Sequence, residues 1–143
     1  MKNLQIYPSV TYVETVEVTL PAVYSGSVIF LPFSTVLNNC KITGLCFNQA
    51  GGLYPNNGSY VDNVQAKFCN INLVQEDDTM VIENLPLSCL LSLNASQNRI
   101  WRRFSTKIFA AKCFIYINDT STYATNLAGK TISLSFYYKP LNY

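Results

Sequence analysis

The chain has 143 residues and a formal net charge of +2, a length that suits one domain with one core. Charged residues make up only 13% against 49% hydrophobic, well below the quarter or so of an ordinary globular chain, so much of the surface must be polar and uncharged or covered by neighbours. The small net charge gives no strong pull toward nucleic acid or a membrane surface, no apolar run reaches a membrane span, and residues 1–8 lack the apolar stretch of a secretory signal.

Taken in chain order, apolar and β-branched residues recur with period two. Residues 1–10 form a short arm. Thr11 to Leu20 is predicted as a strand, with Val16, Val18 and Leu20 on one face and Pro21 closing it. Ser27 to Leu31 reads as a short, more fully buried strand that ends at Pro32. Cys40 to Phe47 is a third strand, with Gly44 as a candidate bulge. Asn48 to Ser59, rich in Asn, Gly and Pro, is a long loop. Val61 to Leu73 reads as a strand or a bent pair of strands, with Lys67, Cys69, Ile71 and Leu73 on one face. Glu76-Asp77-Asp78 makes an acidic turn before Met80-Val81-Ile82, and Leu85 to Leu93 is leucine-rich and read as a strand, although leucine also suits a helix. Trp101 to Phe109 is predicted as a strand with a polar break. Cys113, Ile115 and Ile117 alternate with Phe114, Tyr116 and Asn118. Gly129 leads into Thr131 to Lys139, where Ile132, Leu134, Phe136 and Tyr138 share one face and Thr131, Ser133, Ser135 and Tyr137 the other. About eight strands with no linker between them predict a single all-β domain over residues 1–143, an antiparallel sandwich.

The side chains that carry common catalysis are scarce. There is no histidine, which removes the usual general base and the serine–histidine and cysteine–histidine pairs. Eight carboxylates show no spacing that selects an acid pair. Five cysteines without a CxxC pair give neither a zinc site nor an even disulfide framework, and they read as buried free thiols. The acidic triplet at 76–78 lacks the ligand ladder of a calcium loop and reads as a charged turn. Gly51-Gly52 has no following Lys-Ser/Thr pair and reads as loop flexibility. The expectation is a protein without a cofactor or metal and without enzymatic activity.

What remains are residues suited to contact. Arg99, Arg102, Arg103, Lys107 and Lys112 surround Trp101 and Phe104, a combination favoured at protein interfaces and at sheet edges, and in a smaller share of cases on nucleic acid. Tyr54 and Tyr60 flank the long loop, and Tyr137, Tyr138 and Tyr143 lie near the C-terminal end; exposed tyrosines offer contact area for little entropy. Tyr54, Tyr60, Arg99, Trp101, Arg102, Arg103, Tyr137 and Tyr143 are therefore the candidate binding residues.

In pattern the chain resembles the jelly-roll structural proteins of phages and other icosahedral viruses. The features are a short arm before the strands, strands closed at Leu20-Pro21 and Leu31-Pro32, the segment Asn84-Leu85-Pro86-Leu87 before the second half, and the near-terminal strand Lys130-Thr131-Ile132-Ser133-Leu134-Ser135-Phe136-Tyr137-Tyr138. The resemblance implies a penton, minor capsid or head-decoration subunit made in the host cytoplasm and incorporated into the virion. Its partners would be copies of itself and other capsid proteins, and nucleic acid is not an expected partner. The alternative is a carbohydrate- or receptor-binding module of a viral fibre or adhesin, with Tyr54, Tyr60 and Trp101 stacked on a host surface glycan.

Overall fold

The computed structural model describes residues 12–21, 26–48, 60–61, 63–90, 105–118 and 127–141. Among these residues, seven strands make two antiparallel sheets: β1 (Tyr12–Thr19), β2 (Val28–Phe30), β3 (Cys40–Phe47), β4 (Cys69–Val74), β5 (Met80–Pro86), β6 (Phe114–Ile117) and β7 (Thr131–Pro140). The three-stranded sheet has the order β1-β7-β3 and the four-stranded sheet the order β2-β6-β4-β5. The all-β sandwich expected from the sequence is the architecture found, with short helical turns at Thr35–Asn38 (α1) and Asn63–Ala66 (α2) and 3-10 turns at Leu87–Leu90 and Ala110–Lys112.

Four of the pairings nest around one hairpin. β4 pairs with β5. Outside them, Ile42 of β3 bridges Thr106; outside those, β2 pairs with β6; outermost, β1 pairs with β7. Each step outward moves to strands further apart in sequence, so the chain folds as a long hairpin wrapped on itself.

Alternation explains the core. Val16 and Val18 of β1 lie opposite Leu134 and Ile132 of β7, and all four are buried. On the other sheet, Ile115 and Ile71 are both fully buried and face the same interior. One cluster of buried residues joins both sheets. Fully burying a side chain of this size stabilises by about 1.5–3 kcal/mol, and here the period-two pattern directs each strand's apolar set into that shared layer.

Several details differ from the sequence reading. Val28 and Phe30 are exposed at 46% and 59%, because β2 is an edge strand and not a fully buried one. Residues 63–66 form α2, so β4 begins only at Cys69; Lys67 is exposed and does not share the buried face of Cys69, Ile71 and Leu73. The leucine-rich segment leaves β5 at Pro86 and turns into a 3-10 helix. From Ser105 to Phe109 there is one bridge at Thr106 and no strand. The bulge expected near Gly44 is present as a register shift between Ile42 and Gly44. The extra residue is Thr43, whose hydroxyl donates to the Tyr137 carbonyl at 3.3 Å.

All five cysteines are free thiols, and four are buried. Burial pushes Cys40 and Cys113 up to about 11; the Glu14 charge adds to the rise at Cys40, while the Val74 amide works against it at Cys113. They stay neutral and pack as small apolar groups.

Candidate docking flank

The exposed apolar side chains are unevenly distributed. Eight large hydrophobic residues are exposed among those described: Tyr12, Val13, Val28, Phe30, Phe33, Val36, Met80 and Leu141. Six of the eight belong to β1, β2 and the segment from Pro32 to α1, and of these Phe33 and Val36 line one groove with β1.

Local structure fixes that arrangement. Pro32 follows β2, and Leu31 is held by its amide on the Cys113 carbonyl at 2.9 Å. Ser34 caps α1 by accepting from the Leu37 amide at 3.1 Å. Leu37 is fully buried and anchors the turn in the core, and the Asn38 side chain accepts from the Ala110 amide at 2.7 Å. With these anchors set, Phe33 and Val36 face outward. Phe33 is 65% exposed, and its ring meets Phe109 edge-on at 6.5 Å. Phe30 meets Phe114 in the same way at 5.9 Å. Tyr12 stacks on Tyr138 at 5.6 Å.

Between the unpaired edge of β1 and this segment runs an open groove of about 380 Å³, bounded by Glu14 to Glu17 on one side and Pro32 to Val36 on the other. No lysine or arginine among the described residues lines it. An aromatic side chain carries ~150–250 Å², so the exposed parts of Tyr12, Phe30 and Phe33 alone present on the order of 300 Å², to which the three valines add.

The opposite side of the sandwich is finished differently. Glu76 to Asp78 forms the predicted acidic turn, with Asp78 at φ 70°. The Asp77 carboxylate accepts from the Thr79 amide at 3.1 Å, and the hydrogen bonds of Thr79 hold its carboxyl below the usual range. Lys112 reaches the Asp78 carboxylate at 2.9 Å and also donates to the Glu76 carbonyl.

Of the candidate binding residues, Tyr54, Arg99, Trp101, Arg102, Arg103 and Tyr143 lie outside the described residues. Tyr60 is half-buried, bridges Thr131 and donates its hydroxyl to Glu17 at 3.3 Å, bracing the three-stranded sheet. Tyr137 is half-buried on β7. The structure does not bring these two together, since their partners on the outermost ladder are Thr131 and Val13 respectively. The flank residues Val13, Val28, Phe30, Phe33 and Val36 were not among the sequence candidates. A signal for them exists: Val28-Ile29-Phe30-Leu31 puts apolar residues on both faces of a short strand, so one face must be covered from outside or left bare.

No protein-family profile, no curated protein and no solved structure matches the chain.

Proposed function

We propose that the chain is a virion structural protein, a jelly-roll subunit of the penton, minor capsid or head-decoration kind, that works by association. The observation that carries this reading is the concentration of exposed apolar side chains in β1, β2 and the segment from Pro32 to α1. Exposed apolar side chains of this kind are often contact surface, and subunits in a shell would cover them. The nested order of pairings, from β4–β5 outward to β1–β7, supports the jelly-roll assignment. Free, mostly buried thiols fit assembly in a reducing host cytoplasm.

The mechanism is burial of the flank against another shell subunit, with Phe30 and Phe33 as anchors and the polar loops setting orientation. Electron microscopy of virions made with a tagged chain tests it. Tag density at a regular position on the shell is expected, and its loss on changing Phe33 to Ser. A chain that stays monomeric and joins no particle overturns the reading.

A further inference from the structure

In the order β1-β7-β3, β1 has a strand partner on one side only. Leu20 extends that pairing, its amide donating to the Lys130 carbonyl at 2.8 Å. On the far side of β7, the Asn48 amide donates to the Ser133 carbonyl at 2.9 Å. Backbone groups along an antiparallel strand turn to alternate sides. Val16 and Val18 therefore direct their amides and carbonyls to β7, and Thr15 and Glu17 direct theirs to the free side. Among the described residues, no backbone group meets those of Thr15 or Glu17 there.

The free side opens into the groove whose other wall is Pro32 to Val36. Side chains divide across β1 by the same alternation. Val16 lies on the core side and is buried, and across the groove from it stand Phe33 and Val36, 65% and 38% exposed. Glu17 is on the opposite face of β1, with Thr15, and is exposed. The Tyr60 hydroxyl donates to its carboxylate at 3.3 Å, which holds the charge in place without neutralising it. The one ion pair among the described residues is Lys112–Asp78. Glu14 shares the Val16 face, and its charge acts on Cys40 and Tyr138 of its own chain, so selection of a partner by charge falls to Glu17.

We propose that the free edge of β1 takes up an extended peptide as an added strand, with apolar side chains in the groove and basic side chains beside Glu17. The unpaired amides and carbonyls of Thr15 and Glu17 supply the main-chain bonds of such an addition. The peptide residue opposite Val16 places its side chain between Val16 and the Phe33–Val36 wall. The residue opposite Glu17 falls on the other face, where a lysine or arginine completes a cross-strand pair. The partner sequence therefore alternates apolar and basic residues. The Pro32–Val36 wall admits a lone strand and obstructs one already flanked by its own sheet. β1 carries two acids and no base, so the β1 strand of a second copy is not this partner. The inference goes beyond the shell reading, because the partner is an extended segment of another protein and not a folded subunit.

A fluorescent octapeptide of alternating valine and lysine tests this against the full chain by anisotropy titration. Saturable binding is expected. The same eight residues in block order, four valines then four lysines, should bind at least about tenfold more weakly, and backbone N-methylation of the alternating peptide should abolish binding. Glu17→Lys should weaken binding roughly tenfold, and an alternating valine–glutamate peptide should then bind that variant in preference. Thr15→Pro removes an amide that faces the free side and leaves the β7 pairing intact, and it should abolish binding. The peptide arms leave the protein unaltered and carry the test if that variant folds poorly. Equal binding of the alternating and block peptides, or binding that survives N-methylation, overturns the proposal. A chain that joins particles and ignores the alternating peptide overturns strand addition and leaves the shell reading standing. A chain that binds the peptide in the expected order and joins no particle does the reverse.

Discussion

β2 and β5 are the two outer strands of the same sheet, and each has one edge with no strand partner among the described residues. They are finished in opposite ways. β5 carries Glu83, ends at Pro86 and is broken by register shifts against β4. Asn84 sits at φ 50° and is locked there by Asn72, which accepts from its amide at 2.8 Å and donates to its side chain at 3.3 Å. Charge, proline and bulges are the devices by which proteins prevent strand addition. β2 has none of them: its three residues are Val28, Ile29 and Phe30. The contrast shows that exposed edges are not merely tolerated in this fold; one is defended and the other is left open beside the groove along β1.

The largest expected effect comes from removing the apolar anchors of the open side. Phe30→Ser with Phe33→Ser should weaken association by roughly 30-fold or more, on the scale of interface anchors. The folding free energy should change by only about 1 kcal/mol, because both rings lie outside the core; sedimentation and urea titration separate the two quantities. The defended edge should respond in the reverse sense. Asn84→Ala removes the acceptor of the buried Asn72 side-chain amide while the backbone amide at 84 still donates to Asn72 Oδ1, and an unsatisfied buried donor costs about 1–3 kcal/mol. Association should be unchanged.

Giving β2 the protection of β5 is a subtler change. Val28→Lys places a charge on the open edge at an exposed position, and should weaken association by about tenfold while shifting stability by no more than ~0.5 kcal/mol. The smallest effect belongs to the hairpin turn beside β5. Lys112→Met should cost at most about 1 kcal/mol, since the pair with Asp78 is solvent-exposed.

Alkali supplies a control that acts on both sides at once. Cys40 and Cys113 are raised from 9.0 to about 11, so the folded state holds these protons more tightly than the unfolded chain. Their contribution is fully present below about pH 9 and is lost as pH climbs toward 11. A melting temperature that falls over that window and changes little between pH 6 and 8 is the expected profile, and replacing Cys113 with Ala should flatten it.

The strands legible in the sequence are those with a sustained apolar set at every second position. β7 and β6 announce themselves through Ile132-Leu134-Phe136 and Cys113-Ile115-Ile117 because each alternates strictly. β2 misled because a short all-apolar run looks alike whether it is central or at an edge; only pairing decides. The alternation of Lys67, Cys69, Ile71 and Leu73 extends the strand reading back to Val61, whereas residues 63–66 form a four-residue helical turn that buries Gln65 and Ala66 with no periodicity long enough to see. Ser133 and Ser135 are polar yet buried, since Asn48 donates to both hydroxyls at 3.1 and 2.8 Å and covers them. The docking flank was missed for a related reason: tyrosine and arginine drew attention by type, but exposure of phenylalanine and valine depends on which strands end the sheets.

Hydrogen exchange measured on the dilute chain and on the same chain in its associated form tests the central claim most directly. Association should protect amides of Tyr12–Thr19 and Val28–Phe30 and leave those of Met80–Pro86 unaltered. Protection that appears on β5, or at neither edge, would contradict it.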